Sequence, residues 1–116
     1  MSIYFLSSDP QGLLASFNQE IRNQKIDTWR RIQKPEGGLY THTSSQWKDR
    51  AILKPDDTKH DRLSFYVKRF QGKASSPEVF EYYQAHLEET FFRHFYPDQF
   101  SEVQATPSPT GEDDSF

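Results

Sequence analysis

The stretch RLSFYVKRFQ, residues 62–71, decides the fold. Leu63, Phe65 and Val67 alternate with Arg62, Ser64, Tyr66, Lys68 and Phe70. Successive side chains of a β-strand leave the backbone on opposite faces, so this period of two predicts a strand with one apolar and one polar face. A sheet with one apolar face needs a covering layer. Two segments of the chain are patterned to supply it.

The first covering segment follows Asp9-Pro10. Asp is a good helix N-cap, and Pro suits the first helical turn. Leu13, Leu14, Phe17 and Ile21 then recur at helical spacing, which predicts an amphipathic helix over roughly residues 10–24. The second opens with Ser76 as N-cap, Pro77 at the first helical position and Glu78 near the positive end of the dipole. Phe80, Tyr83, Leu87, Phe91 and Phe95 form its apolar stripe, with Val79 beside them, and Pro97 ends it.

Between and around these helices the pattern is that of strands. SIYFLSS (2–8) is apolar on both parities from Ile3 to Leu6, which suits a strand covered on both sides. IDTWRRIQ (26–33) and LYTHT (39–43) flank KPEGG (34–38), a turn in which Pro35 presets φ and the glycines can take positive φ. SSQWKDRAILKP (44–55) contains a further strand, which Pro55 stops or places at an edge. DDTKHD (56–61) is a polar loop, and FSEVQATP (100–107) is a candidate closing strand. The order is β-α-β-β-β-β-α, with that final β as an option. It predicts an α+β two-layer sandwich: a mostly antiparallel sheet of about five strands with both helices on one face. The order resembles a ferredoxin-like plan with an enlarged middle hairpin, a likeness of topology that carries no function. Residues 1–106 are expected to form one domain, and the Pro-, Gly- and acid-rich 107–116 a disordered tail.

Composition narrows the class. Of the 116 residues 34% are apolar, which is low, and 16% aromatic, which is high, so the core is built from a few large rings. Trp29, Trp47, Phe65, Phe80 and Phe91 are assigned to it. The absence of cysteine excludes disulfides, thiolate metal sites and cysteine nucleophiles. The N-terminus lacks the basic and apolar regions of a secretory signal, and no stretch approaches the roughly 18 apolar residues of a membrane span. A soluble cytoplasmic protein is the expectation.

Charge is unevenly spread. Residues 22–73 hold thirteen of the fourteen Lys and Arg against six acids, a net +7, while the remainder carries −10. On the strand 62–70, Tyr66, Lys68 and Phe70 share the face away from the core, and parity in the neighbouring strands adds Arg30, Tyr40, His42 and Arg50. These seven residues form the expected binding face: cations attract an anionic partner and the rings supply contact area. The expected function is a non-catalytic binding or regulatory module that self-associates through this open sheet face, as a homodimer. A first alternative is a single-stranded nucleic-acid binder, with cations on phosphates and rings stacked on bases. A second is an immunity- or antitoxin-type inhibitor of a basic protein, using Glu78, Glu81, Glu88, Glu89 and the tail acids Glu112, Asp113 and Asp114.

Enzymatic readings find less support. HTSS (42–45) matches half of a two-histidine phosphoesterase pattern, but HDRL, HLEE and HFYP around the other histidines do not supply the second half. His86 and Glu89 share a helix face without organised supporting ligands, and His60 among Asp56, Asp57 and Asp61 reads as a polar turn. No catalytic residue, metal or cofactor is expected.

Overall fold

The computed structural model describes residues 2–32, 38–69 and 77–106. Phe70, Ser76, most of the KPEGG turn and the 107–116 tail lie outside the described residues. The elements are β1 (Ser2–Leu6), α1 (Pro10–Arg22), β2 (Trp29–Ile32), β3 (Leu39–His42), β4 (Ala51–Asp56), β5 (Arg62–Arg69), α2 (Pro77–Phe95) and β6 (Glu102–Thr106). The six strands form one sheet in the order β2-β3-β4-β5-β1-β6, every neighbouring pair antiparallel. The fold is an α+β sandwich, and FSEVQATP supplies a sixth strand at the edge beyond β1. The run β6-β1-β5-β4 approximates the ferredoxin-like arrangement, and β3 and β2 extend it on the far side.

Local chemistry sets the element ends. The Asp9 carboxylate accepts from the Gly12 backbone N–H at 3.1 Å and caps α1, with Pro10 in its first turn. Gly38 takes a φ of +59° on the way into β3, a conformation that costs glycine nothing. Pro55 lies within β4, two residues beyond Leu53, which the ladder sets opposite Tyr40 of β3.

The sheet face toward the helices follows the alternation of β5. Ile3 and Phe5 of β1 lie opposite Phe65 and Leu63, and Leu53 lies opposite Val67. These residues join Leu13 and Phe17 of α1 and Val79, Phe80, Tyr83, Leu87, Phe91 and Phe95 of α2 in one core. Trp29, Phe65, Phe80 and Phe91 are buried as expected, and Trp47 packs half-buried against them. Phe91 is the hub of the ring packing. It stacks on Phe5 at 4.2 Å and lies 5.0 Å from Phe17, 5.6 Å from Phe65 and 5.1 Å from Phe95.

Removing that hub leaves a cavity which four neighbouring rings cannot all collapse into. Phe91→Ala is expected to lower unfolding free energy by about 3–5 kcal/mol, read as a shift of the urea midpoint at unchanged m-value.

Candidate functional site

On the face away from the helices, the β4–β5 register sets Lys54 opposite Tyr66 and Lys68 opposite Ile52. Lys54, Tyr66 and Lys68, with Pro55, Asp56 and Thr58, line an open cleft of about 360 Å³. Asp56 accepts from the Thr58 hydroxyl and backbone N–H, and these bonds hold its carboxyl below the ordinary carboxylate range. The cleft, which Asp57 also lines, therefore sets two lysines and a tyrosine beside two acids. Toward β1 the Arg62 guanidinium lies 4.3 Å above the Tyr4 ring and bonds Asp61 at 3.0 Å, while the Tyr4 hydroxyl donates to Gln104. The face is not open throughout. Ile52, Leu39 and Ser64 alternate with core-facing residues and are nevertheless buried.

The structure divides the residues expected to share this face. Tyr66 and Lys68 line the cleft. Arg30 is exposed on the edge strand β2 and pairs with Asp49 at 2.8 Å. Arg50 is exposed at the end of the 43–50 segment, where it donates to the Gln46 carbonyl. Phe70 lies outside the described residues. Tyr40 and His42 are on the opposite face, beneath the helices: Tyr40 is fully buried and His42 is 4% exposed. Tyr40 donates to Asn18 of α1 and packs on Phe17, and burial raises its hydroxyl to about 12.

The cause of this correction is register. In the β2–β3 hairpin Trp29 lies opposite His42 and Arg31 opposite Tyr40. Directly opposed residues share a face, so the even positions of β3 join the odd positions of β2. Leu39 falls on the other face, opposite Ile32. A one-residue difference in register exchanges the faces of a strand, and a polar turn rich in glycine does not fix that register by composition alone.

Burial of His42 creates a cluster that the sequence pattern missed. His42 lies 5.2 Å from Trp29, 5.4 Å from Tyr82 and 6.0 Å from Tyr83, ring centre to ring centre. Its Nε2 is 3.4 Å from Nδ1 of His86 on α2. Its Nδ1 accepts from the Ser44 backbone N–H at 3.0 Å, so neutral His42 carries its proton on Nε2 and donates it to a bare His86 Nδ1. Rings continue outward from His86: Tyr82 stacks on it at 4.0 Å, and Trp47 stacks on Tyr82 at 3.8 Å. Beneath, Trp29 donates from Nε1 to Thr90 Oγ1, which donates to the His86 carbonyl. The Tyr83 hydroxyl donates to the Trp47 carbonyl.

This constellation holds a proton better than a metal ion. A histidine that ligates through Nε2 normally donates from Nδ1, whereas here Nδ1 of His42 is already an acceptor. Among the described residues no three His, Asp or Glu side chains converge as a cation site. Ser44 offers His42 its backbone N–H rather than its hydroxyl, so the HTSS motif forms no nucleophile–base pair in this arrangement. A larger open cleft of about 640 Å³ lies at the other end of the sheet, between His60, Asp61, Ser7, Asp98 and Phe100. No protein-family model, curated protein or solved structure matches the chain.

Burial, and then the nearby His86, lowers the His42 imidazole from 6.5 to about 4. The unfolded chain takes up this proton at a higher pH than the folded one. His42 therefore contributes a loss of stability as pH falls from 6.5 to about 4. His42→Gln removes the titrating group. Its urea-unfolding free energy is expected to fall less steeply across that window than that of the unaltered chain, and equal slopes would contradict the assignment.

Proposed function

We propose that the chain is a non-catalytic binding module which engages an anionic surface through the helix-free sheet face around Lys54, Tyr66 and Lys68. The observation that carries this reading is the cleft these three side chains line on the face opposite both helices. Two ammonium groups beside a ring combine attraction for acidic groups with contact area, while Asp56 and Asp57 of the same cleft balance its net charge. Arg50, exposed just before β4, adds a cation to that half of the chain, whereas Arg30 is paired with Asp49.

The proposed partner is a second copy of the chain. The +7 of residues 22–73 against the −10 of the remainder supplies charge complementarity within one sequence. Phe92 on α2 and Tyr96 just beyond its end, 38% and 48% exposed, add apolar surface for such a contact. The single-stranded nucleic-acid reading loses support. Tyr40 and His42 lie beneath the helices, and the Tyr4 ring is covered by Arg62, so fewer rings are free to stack on bases.

The test is sedimentation of the chain at low and high salt, with Lys54→Glu/Lys68→Glu alongside. A dimer that salt dissociates and that the double variant weakens by about tenfold or more, about 1.4 kcal/mol, is expected. A monomer at every salt concentration would remove self-association, and a dimer untouched by the charge reversal would move the interface off this face.

A further inference from the structure

We propose that His42 and His86 form a proton-operated latch that holds the 43–50 segment against α2 and releases it when the pair takes up a second proton. The inference stands apart from the binding reading above, because it concerns the opposite face of the sheet and needs no partner.

The hydrogen-bond directions leave room for one proton between the facing nitrogens. Ser44 N–H occupies His42 Nδ1, His42 Nε2–H points at His86 Nδ1, and the two facing nitrogens are 3.4 Å apart. Neutral His86 then carries its own proton on Nε2. An added proton has two destinations. On His86 Nδ1 it sets two N–H donors face to face. On His42 Nδ1 it sets a donor against the Ser44 N–H. Moving the shared proton from His42 Nε2 to its Nδ1 relieves the first conflict by creating the second. Every arrangement that holds the added proton therefore forfeits a hydrogen bond of the latch and leaves one positive ring in a cluster of Trp29, Tyr82 and Tyr83.

The remaining groups around His86 do not relieve this. Glu89, Arg93 and His94 of α2 border the same small cleft as His86, and Lys25 and Asp27 face it from the α1–β2 connection. Glu89 is bonded to Arg93, and His94 lies 3.8 Å from Glu20 of α1. Asp27 and Glu89 thus line the cleft beside His86 together with Lys25 and Arg93. The conflict is resolved by separating the rings.

Separation acts on the 43–50 segment because the same rings hold it. His86 supports Tyr82, Tyr82 supports Trp47, and Tyr83 bonds the Trp47 carbonyl. Displacing His86 removes the base of that stack, and displacing His42 removes the anchor at Ser44. The segment carries Lys48 and Arg50, both exposed, and Asp49, whose carboxylate holds Arg30. Its release frees a guanidinium on β2 and lets three charged side chains move.

The test is backbone 15N relaxation and histidine Cε1–H titration of the full chain in steps from about pH 7.5 to about pH 3.5, across the ordinary range of histidine and the lowered range of His42. The expected result is a fall in the heteronuclear NOE confined to residues 43–50, following the titration of the two histidines, with β1, β5 and α2 unchanged. His86→Phe keeps a ring under Tyr82 without a titrating nitrogen, and its segment is expected to show no pH dependence. His42→Gln, which retains a donor toward His86, serves as the second variant. The proposal is overturned if the segment stays ordered while either histidine titrates, if it loosens only with the whole fold, or if the transition persists in both variants.

Discussion

The opposition of Trp29 and His42 across β2 and β3 is the constraint on which the rest depends. It carries His42 under α2, where a polar ring is affordable only if its nitrogens are bonded. Ser44 and His86 supply those bonds. The same register sets Trp29 where its indole N–H reaches Thr90, one turn along α2 from His86. A slip of β2 by one residue would turn Trp29 away from His42 and bring Arg30 under the helices, so apolar burial and hydrogen bonding both select the observed pairing.

The two faces of the sheet divide the labour that follows from this. Toward the helices, the Phe91-centred rings supply stability, and the histidine–aromatic cluster ties the 43–50 segment to α2 across a long sequence separation. Away from the helices, Lys54, Tyr66 and Lys68 form a cleft whose electrostatics are set by exposed side chains. Arg30 links the two sides, since its partner Asp49 belongs to the segment that the buried cluster holds.

Much of this architecture was legible in local pattern. The alternation from Leu63 to Val67, the Asp9 cap and the stripe from Phe80 to Phe95 each follow from contacts between residues near in sequence, where spacing alone identifies the buried side. The faces of β3 were not legible in the same way. They depend on how the chain between Ile32 and Leu39 turns, and alternation in LYTH is equally consistent with either face. The burial of Ile52 apart from the main core was missed for a related reason: strand parity says which way a side chain points, not what lies above it. The histidine pair escaped because its members are 44 residues apart and neither sits in a motif that names the other. A signal was present: a lone histidine in a strand and another on an amphipathic helix, each flanked by aromatic residues.

Both tryptophans of the chain stand at the His42–His86 end of the molecule, Trp29 beneath the cluster and Trp47 above it, whereas the densest phenylalanine packing surrounds Phe91, Phe5 and Phe100 toward the other. Intrinsic fluorescence is thus a local instrument in this protein. It records the environment of one corner, while the ring-current-shifted methyl resonances of the phenylalanine core record the opposite one. Agreement between the two signals during denaturation would be a real criterion of all-or-none unfolding, because the optical and magnetic probes are held by different parts of the same core.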